Sequence, residues 1–379
     1  MKTSNNESLA DNSIYLPFID GIRGVAVLLV LLVHTSQFVA NNIQGRFYFK
    51  LSELFVNWGA RGVQLFFIVS AFTLFNSAQI RNQKDKKSLI IGFYLRRIFR
   101  IFPFWIFMVV LMTIIKGGDF KLFFLNITFL FGFVRFIPGV ELIEPAWTLF
   151  IEETFYLLFP LYFVNKMDFS KALSFFFYLL IFSMFWYTIA PKINVPITND
   201  FIFLFPFTWY FVFALGILIY YVIEYIKPSL NNLVFGKALD IFTIIFLFLS
   251  IILNKADNWY YFSVLFSTFS LAIFFICCSH KRTVFRKIVS IGILKRSGIY
   301  CYSIYLFHQP LLTLLDPLKN LIFNKFGIDD FIPEVQLLFY FPVVIFICLI
   351  IGGVTFKFIE KPSVILGKII IARFVHKIH

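Results

Sequence analysis

The sequence predicts an all-α membrane protein, a polytopic helix bundle of about ten transmembrane spans plus one re-entrant or peripheral segment. Hydrophobic residues make up 60% of the 379 residues and charged residues 14%, whereas soluble domains are about 45–50% apolar and about 25% charged. Apolar runs long enough to cross a bilayer recur from about residue 21 to residue 358. No soluble domain of useful size fits between these runs, so they form one membrane domain.

The predicted spans follow the near-apolar runs, because a helix needs about 20 such residues to cross a bilayer. They lie at about 21–40, 60–79, 98–115, 146–164, 172–190, 203–225, 237–254, 260–279, 298–318 and 335–358. Residues 120–136 form an eleventh, shorter apolar stretch. Counting it as a crossing would put the basic clusters Arg81–Arg100 and Lys281–Arg296 on opposite sides of the membrane, although basic loops favour the cytoplasm. It is therefore predicted to be re-entrant or peripheral.

The same charge pattern predicts three parts of the chain. Residues 1–20 form a cytoplasmic N-terminal segment, 21–362 the membrane domain, and 363–379 a basic, amphipathic cytoplasmic tail at the membrane interface. The first apolar run is too long for the h-region of a signal peptide and is interpreted as a retained span. These features predict a multi-pass membrane protein with both termini in the cytoplasm.

The distribution of charge argues against a nucleic-acid-binding protein, and the positions of the cysteines argue against a metal site or a disulfide-stabilised fold. The formal net charge of +14 resides mainly in short loops, whereas nucleic-acid binding requires a basic face on a folded module. The four cysteines lie within apolar runs and show neither metal-ligand spacing nor a disulfide framework. The predicted partners therefore include the lipid bilayer and no nucleic acid, and no metal is expected.

Arg23 and His34 are polar residues within the first span, and such residues are functional candidates by default. Their separation of eleven residues corresponds to roughly 16 Å along a helix and three turns plus about 20°, so they share one face. That face offers a cation near the cytoplasmic end and a titratable base in the outer half. The alternative is a snorkelling arginine and a structural histidine.

Glu152 and Glu153 are adjacent carboxylates near the predicted outer side of a span. In a helix they point about 100° apart, which predicts different roles. One of them is expected to orient His34, as carboxylates orient catalytic imidazoles. The other could simply lie at the membrane interface.

Arg97 and Arg100 lie three residues apart and so share a helix face at the cytoplasmic mouth of a span. Guanidinium groups bind phosphates in a bidentate manner, which makes the pair a candidate phosphate site. Ordinary topology-determining basic residues are the alternative. His308, beside Pro310, is either a functional residue or a core histidine that pairs with a freed carbonyl.

Six stretches in order resemble the acyltransferase 3 family of bacterial membrane enzymes. They are Ile19–Ala26 with His34, Gly62–Ser70, the Arg96–Pro103 entry to the third span, Trp147–Tyr156, Ser303–Pro310 and Ile359–Pro362. The resemblance implies an acyl-CoA donor, such as acetyl-CoA, bound from the cytoplasm and a carbohydrate acceptor outside. It also implies that Arg23 and His34 are essential.

The sequence therefore predicts an O-acyltransferase, most simply an O-acetyltransferase, with catalytic residues His34, Glu152 and Glu153. His34 would be the general base. Arg23, Arg97 and Arg100 would hold the donor, and Trp147, Tyr156 and His308 would bind substrate. The acyl group, acetyl or succinyl, and the acceptor stay open, with O-antigen lipopolysaccharide, capsule, peptidoglycan, glucan and lipid-linked glycans all compatible. A proton-coupled transporter or flippase of an anionic lipid or sugar is the alternative, because buried ionisable residues also mark proton pathways.

Overall fold

The structure is a computed structural model of the full chain. It describes residues 16–40, 58–81, 86–134, 137, 139–163, 167–192, 199–255, 260–328 and 331–378. All regular structure within these ranges is helical.

Fifteen α-helices of the described ranges are numbered here in chain order. The first five are α1 (Pro17–Ala40), α2 (Gly62–Ile80), α3 (Lys86–Lys116), α4 (Phe120–Ile127) and α5 (Ala146–Phe163). The next five are α6 (Phe169–Ile189), α7 (Asn199–Leu204), α8 (Pro206–Ile226), α9 (Leu233–Ile252) and α10 (Tyr260–Ser279). The last five are α11 (Val284–Val289), α12 (Gly292–Ile299), α13 (Cys301–Phe326), α14 (Pro333–Thr355) and α15 (Lys361–Ile378).

The predicted class, a multi-pass helical membrane protein, is confirmed. Within the described ranges, eight helical stretches are long and apolar enough to cross a membrane. The other two predicted spans are α5 and α13, which are 18 and 26 residues long. These two helices carry the polar candidates Glu152, Glu153 and His308, which reduce their apolar character. The count of about ten spans stays a prediction.

The described part of the stretch 120–136 does not form a spanning helix. Its helix α4 has 8 residues, or about 12 Å, which is less than half of the roughly 30 Å hydrocarbon core. The buried Asn126 side chain accepts from the Leu142 backbone N–H (3.0 Å) and donates to the Val140 carbonyl (2.8 Å). Beyond the helix, Phe129 stacks on Trp105 of α3 with ring centroids 4.6 Å apart. The segment thus folds back on α3 and on the loop before α5.

The predicted tail begins two residues inside helix α15. A π-helical turn, Phe356–Glu360, joins α14 to α15, and α15 then packs against α3. Ser363 Oγ donates to the Phe99 carbonyl at 2.7 Å. Apolar residues of α15 that face away from the bundle are about half exposed, namely Ile365, Leu366 and Ile369. The position of this helix at the membrane interface stays a prediction.

Close contact between α1 and α12 brings the two basic clusters to one end of the bundle. A Cβ atom at Gly24 would lie 1.9 Å from the Leu294 carbonyl oxygen, so the two backbones touch. Arg97, from the other cluster, lines a cavity together with Arg23 of α1. The start of α1 and both basic clusters therefore lie at the same end, as the charge argument requires.

Gly298→Ala is expected to destabilise the protein, because a Cβ atom there would lie 1.6 Å from the Asp20 carbonyl oxygen. Overpacking of this kind costs about 1–3 kcal/mol, which should lower the thermal midpoint of the purified protein by several degrees. Gly292→Ala on the same helix is the control, since nothing lies within 4 Å of the added atom. Equal midpoints for the two variants would contradict the described α1–α12 contact.

Candidate active site

An inner cavity of about 90 Å³ lies among α1, α2, α3, α5 and α13. The cavity brings together all three arginines that the sequence predicts to bind the donor. Its polar lining residues are Arg23, Ser70, Thr73, Arg97, Arg100, Thr148, Glu152, Tyr156, Tyr302 and Tyr305. Arg23, Arg97 and Arg100 thus form one cluster, although the sequence places Arg23 more than 70 residues away from the other two.

The three arginines differ in how they are held. Arg23 pairs with Asp20 at 3.5 Å and donates to Thr73 Oγ1 at 3.2 Å. The guanidinium of Arg97 lies 5.1 Å from the centroid of the Tyr156 ring, a cation–π contact, and its buried Nε has no hydrogen-bond partner among the described residues. Arg100 is exposed. The cluster therefore retains unused donors for an anionic ligand.

Glu152 is a hydrogen-bond acceptor inside this cavity. Ser70 Oγ and Tyr156 Oη both donate to its Oε1, and its charge interacts with that of Arg97. Glu153 is also close enough to Arg97 for an electrostatic interaction. Its Oε1 is buried without a hydrogen-bond partner among the described residues. Both carboxylates thus belong electrostatically to the arginine end of the site.

His34 lies in a second, outer cavity of about 220 Å³. The amide nitrogen of Gln309 donates to His34 Nδ1 at 3.3 Å, and Gln37 forms a further hydrogen bond with the ring. Glu144 lines the same cavity and interacts electrostatically with His34. Lys116, at the end of α3, completes the charged lining.

The expected pairing of His34 with Glu152 or Glu153 therefore differs from the structure. Helix α5 begins at Ala146, so Glu152 lies six residues, or about 9 Å, along the helix from its outer end. The carboxylate at the depth of His34 is Glu144, which precedes the helix. The sequence analysis had placed Glu152 and Glu153 closer to the outer surface of the membrane than the structure does.

His308 contacts His34 directly. The two ring centroids are 5.0 Å apart, and His308 is 1% exposed. Its Nδ1 lies 2.7 Å from the Tyr305 carbonyl, which can only accept, so this nitrogen carries the proton. The buried Nε2 is then an acceptor, and it has no partner among the described residues.

Trp147 lies apart from both cavities. Its backbone N–H donates to Glu141 at 3.0 Å, and its ring lies 6.1 Å from that of Trp209. Tyr156, the second predicted substrate-binding residue, lines the inner cavity instead of the outer one. The structure therefore separates residues that the sequence analysis had grouped as substrate-binding.

Several polar residues at the site were missed by the sequence analysis. Ser70, Tyr305 and Gln309 lie within the stretches that carry the family resemblance, so a search for polar side chains there would have found them. Gln37 and Glu144 lie at the ends of predicted spans, where polar residues are common. Only their contacts with His34 distinguish them from ordinary interfacial residues.

No cluster of metal-binding type is present among the described residues. In those ranges, no group of three or more His, Cys, Asp or Glu side chains is placed to hold a metal ion. All four cysteines are buried free thiols.

Comparison with known proteins gives the family. The chain is 26% identical over 376 residues to a peptidoglycan O-acetyltransferase, OatA, of Listeria monocytogenes. It is 23% identical over 372 residues to O-acetyltransferase OatA of Staphylococcus aureus. These matches cover 92% of this chain but 56% and 57% of the relatives, so the chain spans little more than half their length. No solved structure matches the chain. The profile of the family described as "Acyltransferase domain" matches residues 16–354, and the protein therefore belongs to the acyltransferase 3 family.

Proposed function

We propose that this protein is a membrane O-acetyltransferase. It would take an acetyl group from acetyl-CoA on the cytoplasmic side and transfer it to a hydroxyl of a cell-surface carbohydrate on the outer side. The observation that carries the proposal is the placement of an arginine-lined cavity and a histidine-lined cavity at two depths of the same helices. The names of the relatives support acetyl over succinyl as the transferred group.

The inner cavity suits the donor. CoA carries several phosphates, and guanidinium groups bind phosphate by charge-assisted, bidentate hydrogen bonds. Arg97 and Arg100 would hold these phosphates, and Arg23 would lie further along the pantetheine arm. Glu152, anchored by Ser70 and Tyr156, would offset part of the positive charge and fix the position of Tyr156. Glu153 would be a second acidic neighbour of Arg97.

The outer cavity suits the acceptor. The sugar hydroxyl oxygen would attack the thioester carbonyl carbon, the carbon–sulfur bond would break, and CoA would leave as a thiol once protonated. His34 would accept the hydroxyl proton at Nδ1 once the hydroxyl has displaced the Gln309 N–H from that nitrogen, and would later return a proton to the sulfur. Glu144 would stabilise the imidazolium form, as carboxylates do in catalytic triads. His308 would bind substrate through Nε2.

Peptidoglycan is the first acceptor to test. The Listeria relative is named for it, whereas lipopolysaccharide and the other glycans rest on the family resemblance alone. The proposed location is the bacterial inner membrane. Both termini and the arginine end would lie in the cytoplasm, because basic clusters favour that side and lie at that end.

The purified protein in lipid vesicles is expected to release free CoA thiol from acetyl-CoA only when an acceptor glycan is present. The glycan should gain the mass of one acetyl group, measured by mass spectrometry. Heat-denatured protein is the control. If the protein instead moves a labelled anionic lipid or sugar across the bilayer and consumes no thioester, it is a transporter and the proposal is wrong.

A further inference from the structure

Three helices, α1, α3 and α13, line both cavities, and along each of them the inner cavity comes first in the chain. On α1, Arg23 lines the inner cavity and His34 the outer one. On α3, Arg97 lines the inner cavity and Lys116 the outer one. On α13, Tyr302 lines the inner cavity and Gln309 the outer one, whereas the loop before α5 lines the outer cavity and α5 itself the inner one. The lining residues of the two cavities do not overlap, so the cavities are successive parts of one column with a barrier between them.

The barrier is formed by the segment from Pro145 to Thr148 and by Tyr305 of α13. The residues of the outer cavity end at Glu144, and those of the inner cavity begin at Thr148. Thr148 Oγ1 donates to Tyr305 Oη at 2.6 Å. Tyr305 Oη in turn donates to the Pro145 carbonyl at 3.1 Å. These two hydrogen bonds hold the Tyr305 phenol between the inner and the outer cavity.

His308 lies directly behind this phenol. The Tyr305 and His308 rings have centroids 5.8 Å apart. His308 Nε2 is the unpaired acceptor described above, and a buried acceptor of this kind costs free energy unless a ligand pairs with it. A donor group that passes the phenol would meet this nitrogen, and the amide N–H groups of a pantetheine arm are donors of that kind.

We propose that Tyr305 is a gate between the donor cavity and the histidine pair. The inference rests on the proposed function, because direct transfer requires the thioester carbonyl and the acceptor hydroxyl to meet at about 3 Å. In the described geometry the barrier keeps them apart. Rotation of the phenol away from Thr148 and the Pro145 carbonyl opens the column and lets the acetylated arm reach the hydroxyl held beside His34. The closed gate keeps water away from the thioester when no arm is inserted.

The gate can be tested without measuring transfer, because Cys301 lines the inner cavity. With Cys277, Cys278 and Cys348 replaced by alanine, Cys301 is the single thiol. A membrane-impermeant methanethiosulfonate reagent is added to the outside of spheroplasts, and the rate of labelling is measured. Tyr305→Phe removes both hydrogen bonds that hold the phenol, so labelling of Cys301 from outside should become about tenfold faster than with Tyr305 present.

Tyr302→Phe is the matched control. Tyr302 lines the same cavity one turn closer to the arginines, and its hydroxyl also donates to a backbone carbonyl, that of Ile101 at 2.8 Å. This variant should label from outside at the unmodified rate. In inside-out vesicles, where the reagent enters from the arginine end, Tyr305→Phe and the unmodified protein should label equally.

Either of two results would overturn the gate. One is an unchanged outside rate in Tyr305→Phe, and the other is the same acceleration in both tyrosine variants. The labelling rate does not depend on acetyl transfer. A fast Tyr305→Phe rate in a protein that acetylates no glycan would leave the gate in place and refute the proposed function. The reverse combination would refute the gate alone.

Discussion

His34→Ala is expected to lower the rate of acetyl transfer by about 10²–10⁴-fold, the usual cost of losing a general base. A sugar hydroxyl is a poor nucleophile at neutral pH, so a group must take its proton as the new bond forms. His34 lines the outer cavity, and Gln309 and Gln37 fix its ring. Because His34 does not line the donor cavity, the affinity for acetyl-CoA should stay unchanged. The measurement is the initial rate of glycan acetylation at matched protein level, beside donor binding by calorimetry.

Two further histidine variants make this result specific. His280→Gln is the control for histidine loss in general, since His280 is a buried structural residue that lies 3.2 Å from the Ser229 carbonyl. That variant should keep normal activity if it folds. His308→Ala tests the neighbouring ring. Loss of transfer in His308→Ala with most activity retained in His34→Ala would show that the base was assigned to the wrong histidine.

Arg97→Ala is expected to raise the KM for acetyl-CoA by about 10–100-fold. Hydrogen bonds to charged groups contribute about 1.5–3 kcal/mol each, and every 1.4 kcal/mol is a factor of ten in affinity. Arg97 borders the inner cavity and has a buried Nε without a partner among the described residues. Arg97→Lys keeps the charge but loses the bidentate geometry, so its KM should lie between those of Arg97→Ala and the unmodified protein. The measurement is steady-state kinetics over a range of donor concentrations.

Arg81→Ala is the matched control for Arg97→Ala. Arg81 belongs to the same basic cluster of the sequence but bonds to Ser77 and does not line the cavity. Its replacement should leave the KM for the donor unchanged. If Arg97→Ala and Arg81→Ala both have the same KM for acetyl-CoA as the unmodified protein, Arg97 only helps to determine the orientation in the membrane, and the donor binds elsewhere.

The fold was largely predictable because hydropathy is a local property. The predicted span 260–279 coincides with α10, and the described part of the stretch 120–136, which the charge pattern excluded as a span, has no helix longer than the 8 residues of α4. Helix boundaries in basic regions were less predictable. Helix α3 begins at Lys86, twelve residues before the predicted span, because a helix that crosses the membrane can continue into the cytoplasm.

The candidate site was predictable to the extent that its residues share one helix. Arg97 and Arg100 share a face and line one cavity, as their spacing predicted. Arg23 and His34 also lie along one column, at the two depths expected from helix geometry. The partner of His34 was not predictable, because the choice among Glu144, Glu152 and Glu153 depends on where α5 begins and on how it is rotated.

The amino-acid sequence by itself determined that this protein is a multi-pass helical membrane protein, and it determined which polar residues must be accounted for inside the membrane. Both follow from composition and from the period of the helix, which need no knowledge of neighbouring elements. The tertiary structure alone decided that Glu152 belongs with Ser70 and Tyr156, and that Thr148 and Tyr305 separate two cavities. These contacts join residues between 4 and 157 positions apart. Most of these contacts depend on the rotation and depth at which the helices pack. Close backbone contacts at glycines, such as that of Gly298 with Asp20, fix this rotation and depth.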